Sequence, residues 1–176
     1  MGNLPNGIAL SPFLGLSPPA RKRGNMLHIS RWMKKEVISI PVNSSIRQAI
    51  QLFLDHHIGT LPVVDESNHL VGILRLQDVI DLGMPDFIHL VTDFDFLHGF
   101  GAVENQRPDP AIFEKDIKEL MIEAVSVHED AGLFRTAALL HKHALRDLPV
   151  VDNEGRLVGI ASHVDVGVAL LSFWIS

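Results

Sequence analysis

The sequence predicts an α/β (α+β) fold of two βαββα repeats related by a pseudo-two-fold axis. Three observations predict it. First, LPVVDESNHLVGI at 61–73 recurs as LPVVDNEGRLVGI at 148–160, so that Pro62 and Pro149 lie 87 residues apart (149 − 62 = 87). At that offset 36–79 aligns with 123–166 without a gap, and Glu36, Ser39, Leu52, His56 and Asp78 also find identical partners. Second, the hydrophobic period changes in the same order in both copies, from strand to helix to hairpin to helix. Third, a copy of ~50 residues is too small to bury a comfortable core alone, so two must share one.

Each element follows from local chemistry. The short apolar runs VISI (37–40) and AVSV (124–127) open the copies as strands. Asn43–Ser44 and Glu129–Asp130 are polar helix starters. They introduce amphipathic helices over 45–57 and 131–144, the first with Ile46, Ala49, Ile50, Phe53 and Leu54 near the helical period. Two β-rich runs then flank the turns Asp65–Asn68 and Asp152–Gly155, which makes a hairpin in each copy. Helices at 76–82 and 163–173 close the repeats. The chain divides into a flexible tail at 1–25, a first repeat at 26–82, a connector at 83–116 and a second repeat at 117–176. Met1 and Met26 are both candidate starts. The connector carries Phe87, Phe94, Phe96 and Phe100 among prolines and acids. It suits a partly helical bridge packed on the body, or a lid or docking element.

Composition excludes several classes of function. The chain has no cysteine, which rules out disulfides, thiolate-held zinc and cysteine catalysis, and fits a reducing compartment such as the cytoplasm. A formal charge of −6 argues against nucleic acid, whose binding rests on phosphate neutralisation. No apolar run approaches the ~20 residues that span a bilayer, so no membrane is expected.

The repeated residues resemble the cystathionine-β-synthase domain, or CBS domain, in tandem as a Bateman module. They are a Pro–Val–Val–Asp strand, a turn, Leu–Val–Gly–Ile, and an Asp six residues after the Gly: Asp78 after Gly72, Asp165 after Gly159. The resemblance covers about 27–173 apart from the connector. It implies a stand-alone regulatory module that binds AMP, ADP, ATP or S-adenosylmethionine between its repeats, pairs into homodimers and signals to an effector protein. No cofactor is required.

The family's ribose signature, Thr or Ser then two residues then Asp, is present in the second copy as Ser162–His163–Val164–Asp165. The Asp165 carboxylate can accept both ribose hydroxyls, and the helix beginning there can face a phosphate. His163 lies beside the signature and could contact phosphate. Ser162 and Asp165 can equally serve only as a helix cap. The resemblance places the base against strand edges at Val125 and Val127, and at Leu145, Arg146 and Asp147 before Pro149. The first copy departs from the signature, with Arg75 in place of Thr or Ser, although Asp78 remains. Arg75 can grip phosphate, or it can pair with Asp78 and close the site. One working site, at the second copy, is therefore expected.

Other chemistries find little support. Ten histidines invite a metal, yet no spacing converges three or four ligands, and no metal site is expected. GFGAVEN (99–105) lacks the third glycine of a dinucleotide fingerprint. No catalytic residues emerge, and two repeats leave no length for a catalytic domain. The competing expectation is a dimeric scaffold whose pocket has degenerated and whose partner docks on 83–116.

Overall fold

The computed structural model describes residues 27–84 and 107–175. The expected tail and 85–106 of the connector lie outside the described residues. The order in the first repeat is β1 (Ile40–Pro41), α1 (Ile46–His56), β2 (Thr60–Val64), β3 (Leu70–Arg75) and α2 (Leu76–Asp81). The second contributes β4 (Ile122–Glu123), β5 (Val127–His128), α3 (Leu133–Lys142), β6 (Asp147–Val151), β7 (Leu157–Ser162) and α4 (His163–Trp174). This is the mixed α/β class expected.

The two sheets repeat the same pairing. β1 runs parallel to β2, and β2 is antiparallel to β3; β5, β6 and β7 do the same. The turn of each hairpin is shaped by the aspartate of the repeated motif. Asp65 Oδ1 accepts from the backbone N–H of Ser67 and His69, at 2.9 and 2.8 Å. Asp152 Oδ1 accepts from Glu154 and Arg156, both at 2.9 Å. Asn68 and Gly155 take left-handed conformations at equivalent positions, with φ of 64° and 79°. Asn and Gly are the residues that tolerate this region best. The pseudo-two-fold axis passes between these turns. Leu70 N–H donates to Gly155 O at 3.1 Å, and Leu157 N–H donates to Asn68 O at 2.9 Å.

The leading segment of each repeat docks on the other repeat. Ile29 is fully buried in the core of the second repeat, beside Leu133, Leu148 and Val150. Ile117 is fully buried in the core of the first, beside Ile46, Leu61 and Leu74. Backbone bonds hold the exchange reciprocally: Ile29 N–H to Ala131 O at 2.8 Å, and Ile117 N–H to Ser44 O at 3.1 Å. β4 adds to the outer edge of β3, and Lys34 pairs with Ile160 of β7 through two 2.9 Å bonds. This crossing explains the glycine of the LVGI motif. A Cβ on Gly72 would run into the Met121 side chain, and one on Gly159 into Met33 and the Lys34 carbonyl. The opening strands are shorter than 37–40 and 124–127. Each makes only two residue pairs; before β1, Val37 and Ile38 line the space between the repeats, whereas before β5, Val125 packs against the core of the second repeat.

Candidate functional site

The site is built at the start of α4. Ser162 is its N-cap. Its Oγ accepts from Asp165 N–H at 3.0 Å, and Asp165 Oδ2 accepts from Ser162 N–H at 3.2 Å. The Ser162 hydroxyl also donates to Asp165 Oδ2 at 2.6 Å. The reciprocal cap satisfies two donors that a helix start otherwise leaves orphaned. It also fixes the carboxylate: Oδ2 accepts both bonds from Ser162, whereas among the described residues Oδ1 accepts no hydrogen bond and no cation pairs with Asp165. Capping and ligand contact are thus compatible, each with its own oxygen.

Asp165 lies in a cleft of about 250 Å³ between the repeats. Its facing wall comes from the first repeat, from Glu36, Val37 and Ile38 and from His57–Thr60. Val125 and Val127 do not form this wall. Val127 is buried in the core of the second repeat and Val125 packs against that core. Pro149 is likewise buried within β6, opposite Ile160. The physical reason is the pseudo-two-fold axis: a cleft between two copies takes the strand edge from one and the helix start from the other. The position equivalent to Val125 is Ile38 (125 − 87 = 38), and it is Ile38 that faces Asp165's cleft.

A larger hollow of about 890 Å³ opens beside this cleft and shares His57, Ile58, Gly59, Asp147 and Ser162 with it. Leu145, Arg146 and His163 line it, together with apolar Phe53, Ile58 and Val164. Of the expected residues, Leu145, Arg146, Asp147, Ser162 and His163 are therefore brought together there, and Asp165 sits next to it. Arg146 and His163 are exposed and without an ion-pair partner among the described residues. Their backbones are joined, since His163 N–H donates to Arg146 O at 2.7 Å. Both volumes fall near the range of small-molecule sites.

Asp147 stands on the pseudo-axis opposite its repeat mate Thr60. Burial pushes its carboxyl up from the usual carboxylate range. A hydrogen bond from Thr60 and the charges of Lys34 and Arg146 oppose that rise, whereas Asp165 adds to it.

In the equivalent place of the first repeat the carboxylate is occupied. Arg75 reaches over Asp78 with Nε on Oδ2 at 2.9 Å and a terminal nitrogen on Oδ1 at 2.5 Å. Oδ2 also accepts from Arg75 N–H at 3.3 Å. Both carboxylate oxygens are taken in a fork geometry that a guanidinium fits well. The space beside it, about 370 Å³, is lined by Arg75, Leu76, Leu145 and Arg146. Among the described residues no group of three or more metal-ligating side chains converges.

Residues 29–84 and 117–171 each match the model of the CBS domain, and the chain belongs to that family. Its fold is that of solved CBS domain pairs. CBSX2 in complex with AMP superposes with a TM-score of 0.61 at 25% identity, covering 84% of this chain and 98% of that one; CBSX2 comes from Arabidopsis thaliana. The CBS domain pair of protein MJ0100, in complex with 5-methylthioadenosine and S-adenosyl-L-methionine, gives 0.60 at 25% identity over 84% and 98%. Among curated relatives, the L-aspartate semialdehyde sulfurtransferase of Methanocaldococcus jannaschii is 27% identical over 135 residues, 76% of this chain. The chain spans 36%, 21% and 20% of the length of three such relatives, this enzyme being the second. No helix among the described residues is long and apolar enough to cross a membrane.

Proposed function

We propose that this chain is a regulatory sensor that holds one adenosine-containing nucleotide in the cleft at Asp165. The observation that carries the reading is the contrast in carboxylates: Asp165 is oriented by Ser162 with one oxygen unbonded, while Asp78 is consumed by Arg75. In this reading the ribose hydroxyls donate to Asp165. The base slides between the Val37–Ile38 edge and Ile58–Gly59, held by aliphatic side chains and backbone groups. The phosphates, or another substituent on the ribose, point toward Arg146 and His163. Support comes from the AMP and S-adenosyl-L-methionine complexes of the related CBS pairs.

The ligand does not undergo chemistry in this reading; it biases a conformation that an effector protein reads. The cleft takes its walls from both repeats. A ligand that bridges them binds best to one relative placement, and that differential affinity is what a signal requires.

Thermal unfolding against AMP, ADP, ATP and S-adenosylmethionine tests this. A ligand at 100 times its Kd stabilises by ~2.7 kcal/mol, or roughly 5–10 °C for a chain of this size. Asp165→Ala removes a charged acceptor contributing ~1.5–3 kcal/mol, so affinity falls ~10-fold or more. A panel without any shift, or a shift untouched by Asp165→Ala, overturns the assignment.

A further inference from the structure

We propose, on the nucleotide reading above, that Asp147 sets the charge preference of the cleft at Asp165. It favours an adenosyl ligand with a positive centre beside the ribose over one with a bare phosphate there.

Asp147 is an acid with no part in the nucleotide reading so far. It stands at the first position of β6. Its repeat mate is Thr60 (147 − 87 = 60), so the shared fold does not require a carboxylate there. Burial works against the charge of Asp147, and so does Asp165. Thr60 gives it a hydrogen bond, whereas Lys34 and Arg146 act on it through charge alone. Two carboxylates that share one cleft each disfavour the other's charge, and a cation placed between them relieves both.

Position decides where that cation falls. Asp147 lines both the cleft and the larger hollow. Of the two spaces, Asp165 lines only the cleft, and Arg146 and His163 line only the hollow. From the ribose outward the order is therefore Asp165, Asp147, then Arg146. The ligand that matches presents its hydroxyls, then a positive centre, then an anion. A sulfonium or ammonium on the ribose methylene, with a carboxylate further out, has that order. A nucleotide phosphate puts negative charge where Asp147 stands. The rest of the cleft agrees, since Lys34 shares it with Glu36, Asp147 and Asp165, three acids to one base.

A pH dependence follows. Ionised Asp147 attracts the cation and protonated Asp147 does not. The preference therefore grows as pH rises through the range in which Asp147 titrates, and levels off above it. Glu36, Asp165, His57 and His163 are the other titratable groups around the two spaces, and removing the Asp147 charge separates its effect from theirs.

Titration calorimetry of the full chain compares S-adenosylmethionine with S-adenosylhomocysteine, which lacks the methyl and the positive charge at sulfur, and with AMP. Wild type is expected to bind the sulfonium about 10-fold or more tighter than the thioether, the effect of a carboxylate–cation contact that moves a pKa by one unit. AMP should bind more weakly than the sulfonium. In Asp147→Asn the sulfonium and thioether affinities should become equal. In wild type the preference should shrink between about pH 7 and about pH 4, where an aspartate takes up its proton. Thioether binding that is lost in Asp165→Ala upholds the nucleotide reading whatever the charge preference, so the two are judged separately. Equal affinities for sulfonium and thioether in wild type, tighter binding of AMP with or without magnesium, or a preference that survives Asp147→Asn overturns the proposal. Should Asp147→Asn fail to fold, a wild-type preference that does not shrink as pH falls overturns it alone. Absence of binding by all three ligands overturns both readings.

Discussion

Arg75 precedes Asp78 by three residues as Ser162 precedes Asp165, and the two pairs leave their carboxylates in different states. In the first repeat a guanidinium occupies both oxygens of Asp78. In the second a hydroxyl orients one oxygen of Asp165, and among the described residues the other accepts no hydrogen bond. The scaffold around them is otherwise shared, down to the turn aspartates and the glycines beneath the crossing segments. One residue three positions before an aspartate therefore distinguishes a carboxylate paired with its own guanidinium from one held by a hydroxyl cap. A repeat fixes the architecture, and single departures from the repeat assign the work.

The largest effect on stability is expected at the motif glycines. At Gly159 an added methyl meets the Lys34 carbonyl at 3.1 Å besides Met33, and backbone does not yield easily. At Gly72 it meets only Met121, a flexible side chain. Gly159→Ala should destabilise by ~1–3 kcal/mol, as overpacking does, and Gly72→Ala by less. Denaturant midpoints of the two variants check the order; equal losses would mean that the two crossings are equally rigid.

Arg75→Ser rebuilds the open arrangement in the first repeat. It should raise nucleotide stoichiometry from one toward two per chain in calorimetry. An unchanged stoichiometry would show that more than Arg75 closes the first cleft.

The smallest effect is expected at Asp147. Burial raises its pKa in the folded chain above the unfolded value. The folded state therefore holds more protons between those two values, and stability falls as pH rises through that window. Asp147→Asn keeps an acceptor for Thr60 and cannot ionise. It should raise Tm slightly near pH 7, and the gain should vanish at about pH 4. A variant less stable at both pH values would mean that attraction to Lys34 and Arg146 outweighs desolvation.

The helices and hairpins were legible because their signals are local. The predicted 45–57 and 163–173 differ from Ile46–His56 and His163–Trp174 by a residue or so at the ends. The aspartate and serine of the candidate site were legible from the repeat and the family resemblance. The opposite wall was not. Glu36, Val37, Ile38 and Thr60 carry no ligand signature, and they reach Asp165 only because the repeats face each other across the axis. The exchange of Ile29 and Ile117 was hidden for the same reason. Their 88-residue spacing lies one residue from the repeat offset, which was the available signal. β4 is a non-local pairing of two residues, too short for any period to mark it.

The two aspartates of one repeated motif are expected to have different roles. Isothermal titration of AMP, or of whichever panel member shifts the melting temperature, into wild type, Asp165→Ala and Asp78→Ala measures it directly. One nucleotide per wild-type chain is expected, with a loss of ~10-fold or more in affinity for Asp165→Ala and an undiminished titration for Asp78→Ala. Loss of binding in Asp78→Ala with Asp165→Ala unaffected would contradict it.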